Sequence, residues 1–481
     1  MTYGLQIFGI ERDLSEILQA TRAIRNTYIP VNGLPPEILS GVLEYRTGER
    51  DLVAATHVCQ YWRSTLTSSP PLWDCFRLQS YHDVDRTVTY LERSKSALID
   101  VSMDMDSPEN LKALQYFAPH IARTRSFIIG GLRADVLAAS LLFCNPTPSL
   151  QHLEMSAYGG LVRLPDNFLG QQAPSLRSVS FSGIYPALEP IFPLPDLAEF
   201  SLYLQGDAGP FHMSALFRCF SCCPRLQKIY ISASNVILQG GLDEVISLES
   251  LEELDYACDR AGQILPFLRL PRLKQLRVSP SSESGQLQKA VDLLPHGGCV
   301  LLVGTTNMLY YSDQLSLRVD LSGGGVNVSL STLRTTADPL PVDWFSDETC
   351  TPFGQIEDLK VEGWSVTMDF PINVFAFENL GVLRVAPCDS QFTEEFLRLL
   401  HPDPGAGIPC QSLREIEYTT WGPSQEPLIR PLINLVRERK RAGHQLRLLR
   451  LSIAQGSHQD LVEELREHVG EVQVKVWGEG M

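Results

Sequence analysis

Few residues in this 481-residue chain have the types and spacing that catalysis needs. Cys219 and Cys222 form a CxxC pair with Cys223 beside it. That could be half a zinc site, but a zinc site needs a second pair or two histidines at a fixed distance, and none follows. The other reading is a set of reduced thiols partly buried in a core, where cysteine behaves as a small hydrophobe. His401-Pro402-Asp403-Pro404 brings an imidazole near a carboxylate, yet two prolines make it a rigid loop with no further ligand close by. Gly323-Gly324-Gly325 lacks the Gly-Lys-Ser/Thr of a phosphate loop and sits between alternating strand-like stretches, so a turn is expected there. Neither a G-x-S-x-G elbow nor an HExxH pair is present. Asn327-Val328-Ser329 fits a glycosylation acceptor, which only an exported chain would use. The sequence is therefore read as a binding protein and not an enzyme, with no cofactor and no metal.

Composition bounds the partners. The chain is 44% hydrophobic and 20% charged, ordinary for a soluble globular protein large enough to bury a sizeable core. A net charge of -16 argues against nucleic acid, because phosphate binding needs clustered Lys and Arg. A basic protein partner is allowed by it, though solubility alone would account for the acidity. The opening Met1-Thr2-Tyr3-Gly4-Leu5 lacks the basic start and apolar run of a secretory signal, and no stretch approaches a membrane span. Eleven cysteines, an odd count, suit a reducing compartment. The expected location is intracellular, cytoplasmic and/or nuclear, with no membrane contact.

The elements that would position a binding surface begin with Leu34-Pro35-Pro36-Glu37-Ile38-Leu39. Prolines here mark a helix start, since their φ is already helical and their missing N–H costs nothing in the first turn. Ile38, Leu39, Val42 and Leu43 recur as one apolar stripe, and Glu37 suits the positive end of the helix dipole. Asp51 is expected to cap a second helix whose seam runs through Leu52, Ala55, Cys59 and Trp62, and Ser69 before Pro70-Pro71-Leu72-Trp73 marks a further turn.

Those three pieces, in that order, resemble the F-box in its fungal F-box-like form. The residues carrying the resemblance are Leu34 to Leu39, His57-Val58-Cys59-Gln60-Tyr61-Trp62-Arg63 and Pro70 to Trp73. The resemblance implies a module that docks a Skp-family adaptor, and through it a cullin, so that the remainder presents a protein substrate for ubiquitin transfer. It puts Leu34, Pro35, Ile38, Leu39, Val42, Val58, Cys59, Trp62 and Trp73 at the adaptor surface. Trp62 and Trp73 have a second reading, as internal core of the module. Tyr45 to Arg50 is more polar than the usual loop of the family.

Beyond the module, the pattern LxxLxL repeats. It starts at Leu150, Leu176, Leu197, Leu226, Leu251 and Leu273, intervals of 26, 21, 29, 25 and 22 residues by subtraction, and returns at Ile356, Leu380, Leu413 and Leu446. Such periods match leucine-rich repeats, in which each short strand buries its alternate residues only when a neighbouring copy stacks on it. The array resembles the irregular leucine-rich repeats that accompany many F-boxes. Between the blocks, Gln286 to Leu294 reads as a helix and Cys299 to Val303 as a buried strand, while residues 315 to 330 read as a hairpin or two broken repeats.

The expected fold is α/β: a helical segment at 1–30, an F-box-like domain at 31–78, and an irregular leucine-rich-repeat solenoid at 79–481 with parallel strands on its inner face. The strand residues that alternate outward offer a substrate surface at Lys228, Tyr230, Glu253, Asp255, Gln275 and Arg277, or else an ordinary solvated face. The function that follows is a non-catalytic, substrate-recruiting subunit of a Skp–cullin–F-box ubiquitin ligase. A ligase-independent interaction scaffold is the alternative.

Overall fold

The structure is a computed structural model. It describes residues 2–46, 49–78, 83–105, 108–171, 173–186, 194–204, 210–211, 213–233, 237–238, 245–258, 264–279, 307–312, 316–323, 326–333, 355–363, 377–387, 390–402, 407–420, 426–454 and 459–477. The chain divides into two compact units, Met1–Leu194 and Pro195–Met481.

The first unit opens with helix α1 (Thr2–Thr27) and continues through α2 (Pro36–Arg46), α3 (Glu49–Ala55) and α4 (Gln60–Thr67) to a 3-10 turn at Pro70–Trp73. Pro36 opens α2 as expected, and the carbonyl of Pro35 accepts the N–H groups of Ile38 at 3.1 Å and Leu39 at 3.0 Å. Two expectations are corrected. Asp51 lies inside α3 and not at its start, and the seam from Leu52 to Trp62 is two helices, not one. The break falls at Cys59, whose backbone is extended at φ -159 and ψ 172. The chain can turn there because Arg63 Nε donates to the Thr56 carbonyl at 3.0 Å, supplying from a side chain the bond a continued helix would have made. Leu39, Leu43, Ala55 and Leu66 then share one small core, with Tyr61, Trp62 and Leu72 packed against it.

After this module come β1 (Cys75–Leu78), β2 (Ile99–Asp104), β3 (Thr124–Leu132), β4 (His152–Tyr158) and β5 (Ser178–Ser182), each parallel to the next. Helices α5 (Asp83–Ser94), α6 (Pro108–Phe117) and α7 (Arg133–Ser140) fill the first connections. Burial alternates along the strands, with Val101, Phe127, Leu153 and Val179 of one register row all inside. Behind them Phe127, Phe143, Phe168 and Phe181 follow one another with ring centroids 4.8, 5.7 and 6.3 Å apart, the tilted and edge-on contacts that ring quadrupoles favour. Gly183 is required where β5 ends: its φ is +64, and a Cβ there would sit 2.4 Å from the Ala157 carbonyl oxygen.

The second unit starts with four parallel strands, β6 (Glu199–Leu204), β7 (Lys228–Ala233), β8 (Glu253–Cys258) and β9 (Gln275–Val278), with helix α8 (Met213–Ser221) between the first two. Then come β10 (Asn307–Ser312), β11 (Ser316–Gly323) and β12 (Val326–Leu333), followed by β13 (Asp358–Gly363), β14 (Val382–Pro387), β15 (Glu415–Thr419), β16 (Leu448–Ala454) and β17 (Glu471–Trp477). Helices α9 (Ser390–Leu399), α10 (Glu426–Arg441) and α11 (Gln459–His468) separate the last four strands. From β13 to β17 every pairing is again parallel and consecutive.

The middle departs from an all-parallel succession. β9 pairs in parallel with β12, β12 and β11 are antiparallel, β11 and β10 are antiparallel, and β10 pairs in parallel with β13. β11 and β12 thus pair as a hairpin, and the chain enters this stretch at the far strand and works back. The register preserves the apolar row through the reversal: Leu276 aligns with Val328, Val328 with Leu321, Leu321 with Met308 and Met308 with Leu359. A period of two is indifferent to strand direction, so a reversed segment can extend the same apolar row. The helix expected at 286–294 and the strand expected at 299–303 lie outside the described residues.

Many strands are entered by the same device. Leu150, Leu176, Leu226, Leu251, Leu273 and Leu413 each donate their N–H three residues back, closing a turn that leaves the leucine buried. The residue after each of them bonds to the preceding copy, as Arg177 does to Gln151, Gln227 to Ala198, Lys274 to Glu252 and Arg414 to Gly381, and Arg447 after Leu446 bonds likewise to Arg414. The repeat in sequence is therefore a repeat in backbone geometry.

Candidate functional site

The helical module exposes a set of apolar side chains that its own core leaves out. Ile38 and Val42, one turn apart on α2, are each 53% exposed, and Val58 in the turn before α4 is 58% exposed. Pro35 is exposed, and Leu34 and Cys59 are half-buried. The geometry holding them is specific: Tyr61 donates its hydroxyl to the Leu34 carbonyl, Trp62 Nε1 donates to Asn32 Oδ1 at 2.7 Å, and the Ser40 and Ser69 hydroxyls meet at 2.8 Å. These bonds tie the entry of α2 to α4 and to the start of the 3-10 turn.

Two residues expected at the surface are inside instead. Leu39 is 1% exposed and Trp73 is fully buried. The stripe on α2 is split because consecutive helical residues diverge by about 100°, so Leu39 and Leu43 face the core while Ile38 and Val42 face out. Trp73 is enclosed because its Nε1–H donates to the Leu66 carbonyl at 2.8 Å, Tyr90 of α5 meets it edge-on at 4.8 Å and the Arg93 guanidinium lies 4.4 Å above its ring. Its role is to join the module to α5. Trp62 is half-buried and keeps part of its ring open to a partner.

A polar cluster at the module's end escaped sequence reasoning. Arg125 on β3 grips Asp100 of β2 with Nε at 2.9 Å and Nη2 at 2.6 Å, and the same Nη2 reaches Asp74 at 3.5 Å. The Asp100 N–H also donates to the Asp74 carbonyl at 2.8 Å. Burial, with Asp100 adding to it, raises the Asp74 carboxyl to about 6 against the opposing pull of Arg125. Asp74 lines a cavity of about 340 Å³ together with Leu43, Leu52, Leu72 and Tyr90. The three residues lie 25 and 51 positions apart, so no local pattern announces them.

In the second unit, the six residues expected on the outward strand face do come together. Lys228, Glu253 and Gln275 align in register, as do Tyr230, Asp255 and Arg277, a two-by-three grid on β7, β8 and β9 opposite the buried Ile229, Leu254 and Leu276. The charges neutralise each other across strands. Lys228 lies 3.3 Å from Glu253 and 3.8 Å from Glu199, Arg277 lies 2.9 Å from Asp255, and Tyr230 donates to Glu253 at 2.8 Å. Burial, with the Glu253 bond next, pushes the Tyr230 hydroxyl up to about 12. The pattern resumes further along, where Arg384 bridges Asp358 at 2.7 Å and Glu417 at 3.3 Å and Arg450 meets Glu415 at 3.1 Å.

The sequence clusters weighed for chemistry are dispersed. Cys219 ends up half-buried near the end of α8, Cys222 exposed and Cys223 buried. His401 pairs with Glu438 of α10 at 2.8 Å, and Asp403 lies outside the described residues, as do Gly324 and Gly325. Among the described residues no group of three or more His, Cys, Asp or Glu could hold a metal, and no helix is long and apolar enough to cross a membrane.

Residues 31–79 match the F-box-like family model. The chain carries an F-box-like domain, made of α2, α3, α4 and the turns around them, and F-box-like domains typically bind Skp-family adaptors. No curated protein matches the chain.

Proposed function

We propose that the chain is a non-catalytic substrate-recruiting subunit of a Skp–cullin–F-box ubiquitin ligase. The F-box-like domain docks the adaptor through Leu34, Pro35, Ile38, Val42, Val58, Cys59 and Trp62, with Leu39 and Trp73 supporting that surface from within. Residues 79–481 are irregular leucine-rich repeats, and their strands carry the substrate surface. The adaptor brings the cullin.

The observation that carries this reading is the exposure of Ile38, Val42 and Val58 on a module whose own core is already complete. Exposed aliphatic side chains on a rigid frame are what an adaptor interface buries. The test is capture of a purified Skp-family adaptor by the full chain. Ile38→Asp with Val42→Asp should reduce capture at least about tenfold with an unchanged melting temperature, as loss of buried apolar anchors does. Capture at the wild-type level by that folded variant would reject the docking surface. Co-recovery of a cullin separates the ligase subunit from a ligase-independent scaffold, which would hold the adaptor alone or nothing.

A further inference from the structure

α1 carries an apolar stripe that none of the described residues covers. Every side chain from Ile10 to Arg25 is exposed, and Ile10, Leu14, Ile17 and Ile24 are 60, 61, 64 and 62% exposed. Most of a helix's stability in a protein comes from packing its apolar face, and contiguous apolar patches are rare on monomers, so both facts call for an occupant.

The spacing says what kind. Ile10, Ile17 and Ile24 are seven apart, and Ile7, Leu14 and Thr21 stand three residues before each of them, which is an a/d seam with a period of 3.5. A seam of that period fits the groove of another helix. Charge then selects the partner. Residues 2–16 hold Arg12 against Glu11, Asp13 and Glu16, a balance of 1 − 3 = −2, and residues 17–27 hold Arg22 and Arg25, a balance of +2. Arg12 is already engaged within the helix, 3.7 Å from Asp13 and 3.9 Å from Glu16. A second α1 running the other way sets each acidic half against a basic half, and a parallel pairing sets like against like. The antiparallel register also matches the seam throughout: Leu14 falls beside Ile17 of the other helix, Ile10 beside Thr21 and Ile7 beside Ile24. A membrane surface is the weaker occupant, because the helix balances at zero net charge and has no cationic face to hold anionic lipid.

We propose that α1 pairs with α1 of a second copy of this chain as an antiparallel coiled coil. At about 1.5 Å rise per residue the pair is roughly 40 Å long. Each F-box-like domain follows the end of its own α1, so the two domains stand at opposite ends of the pair. This assembly is independent of the adaptor reading and survives its failure.

The experiment is the mass of the full-length chain by light scattering and sedimentation at micromolar concentration. Wild type is expected to be a dimer, and Leu14→Asp with Ile17→Asp a monomer that melts as a folded protein. Because those aspartates could unwind α1, a second set uses charge alone. Arg22→Glu with Arg25→Glu should weaken the dimer about tenfold or more, and adding Glu11→Arg with Asp13→Arg should restore it, as complementary pairing requires. A monomeric wild type, a dimer that survives the aspartates, or a failure of the charge swap to restore pairing overturns the proposal. So does a chain that stays monomeric and needs the α1 stripe to capture the adaptor.

Discussion

Asp74 and Leu254 show how differently single residues contribute. Asp74 is half-buried and its carboxyl is raised from 3.8 to about 6, so the folded chain holds that proton more tightly than the unfolded one. The stabilisation this provides is present below about pH 4 and lost as pH rises through 6. Asp74→Asn, permanently neutral, keeps it at every pH. The melting temperature of the variant relative to wild type should therefore climb between about pH 4 and pH 7; a flat difference would mean that folding does not raise the Asp74 pKa, and a falling one would place the ionised carboxylate in a favourable contact with Arg125 instead. Leu254 and Leu276 are neighbours in one register row and are 1% and 0% exposed. Each cut to Ala should cost about 2 to 5 kcal/mol, because the cavity adds to the lost transfer term. Glu253→Ala should cost about 0 to 1 kcal/mol, the range for partly exposed ion pairs. Thermal melts that find equal losses at Glu253 and Leu254 would contradict the strand register.

The elements are joined by residues whose bonding could not be read locally. Arg439 on α10 is fully buried and donates through Nη1 to the Pro409 carbonyl and through Nη2 to the Cys410 carbonyl, both at 2.9 Å. Burial lowers its own affinity for the proton and, in the same pocket, pushes the Cys410 thiol up to about 12. The fork holds α10 against the turn that enters β15. Arg439→Lys has one point donor where two carbonyls need a planar pair, and should destabilise by about 1 to 3 kcal/mol through the carbonyl left unpaired. Denaturant unfolding checks this. An unchanged midpoint would mean the carbonyls find other donors.

For the whole molecule, the question is whether the outward sheet face recognises a partner or is only solvated. Its acidic residues are paired to neighbouring strands, Glu253 to Lys228 and Asp255 to Arg277, so a basic partner would have to compete with internal cations. Charge reversal by Glu253→Lys and Asp255→Lys should abolish co-purification of a basic substrate and leave adaptor capture intact, because electrostatics acts on recognition and association rate more than on folding. Unchanged recovery would move the substrate site to another surface.

Much was legible without coordinates. The prolines at 35, 36, 70 and 71 announced turns and helix starts because proline acts on its own backbone, and the LxxLxL spacing announced parallel strands because period two reports burial directly. Three features needed the fold. The break at Cys59 depends on Arg63 reaching back to Thr56, and the reversal at 307–333 is hidden because alternation carries no strand direction. Which side of an apolar helix faces inward depends on neighbours: Ile38 and Leu39 are adjacent aliphatic residues, and only the position of α4 and the 3-10 turn sends one out and the other in. Local propensity and periodicity are properties of the chain's own sequence. Facing, pairing direction and the meeting of Asp74, Asp100 and Arg125 are properties of contacts between distant segments, and those exist only once the chain has folded.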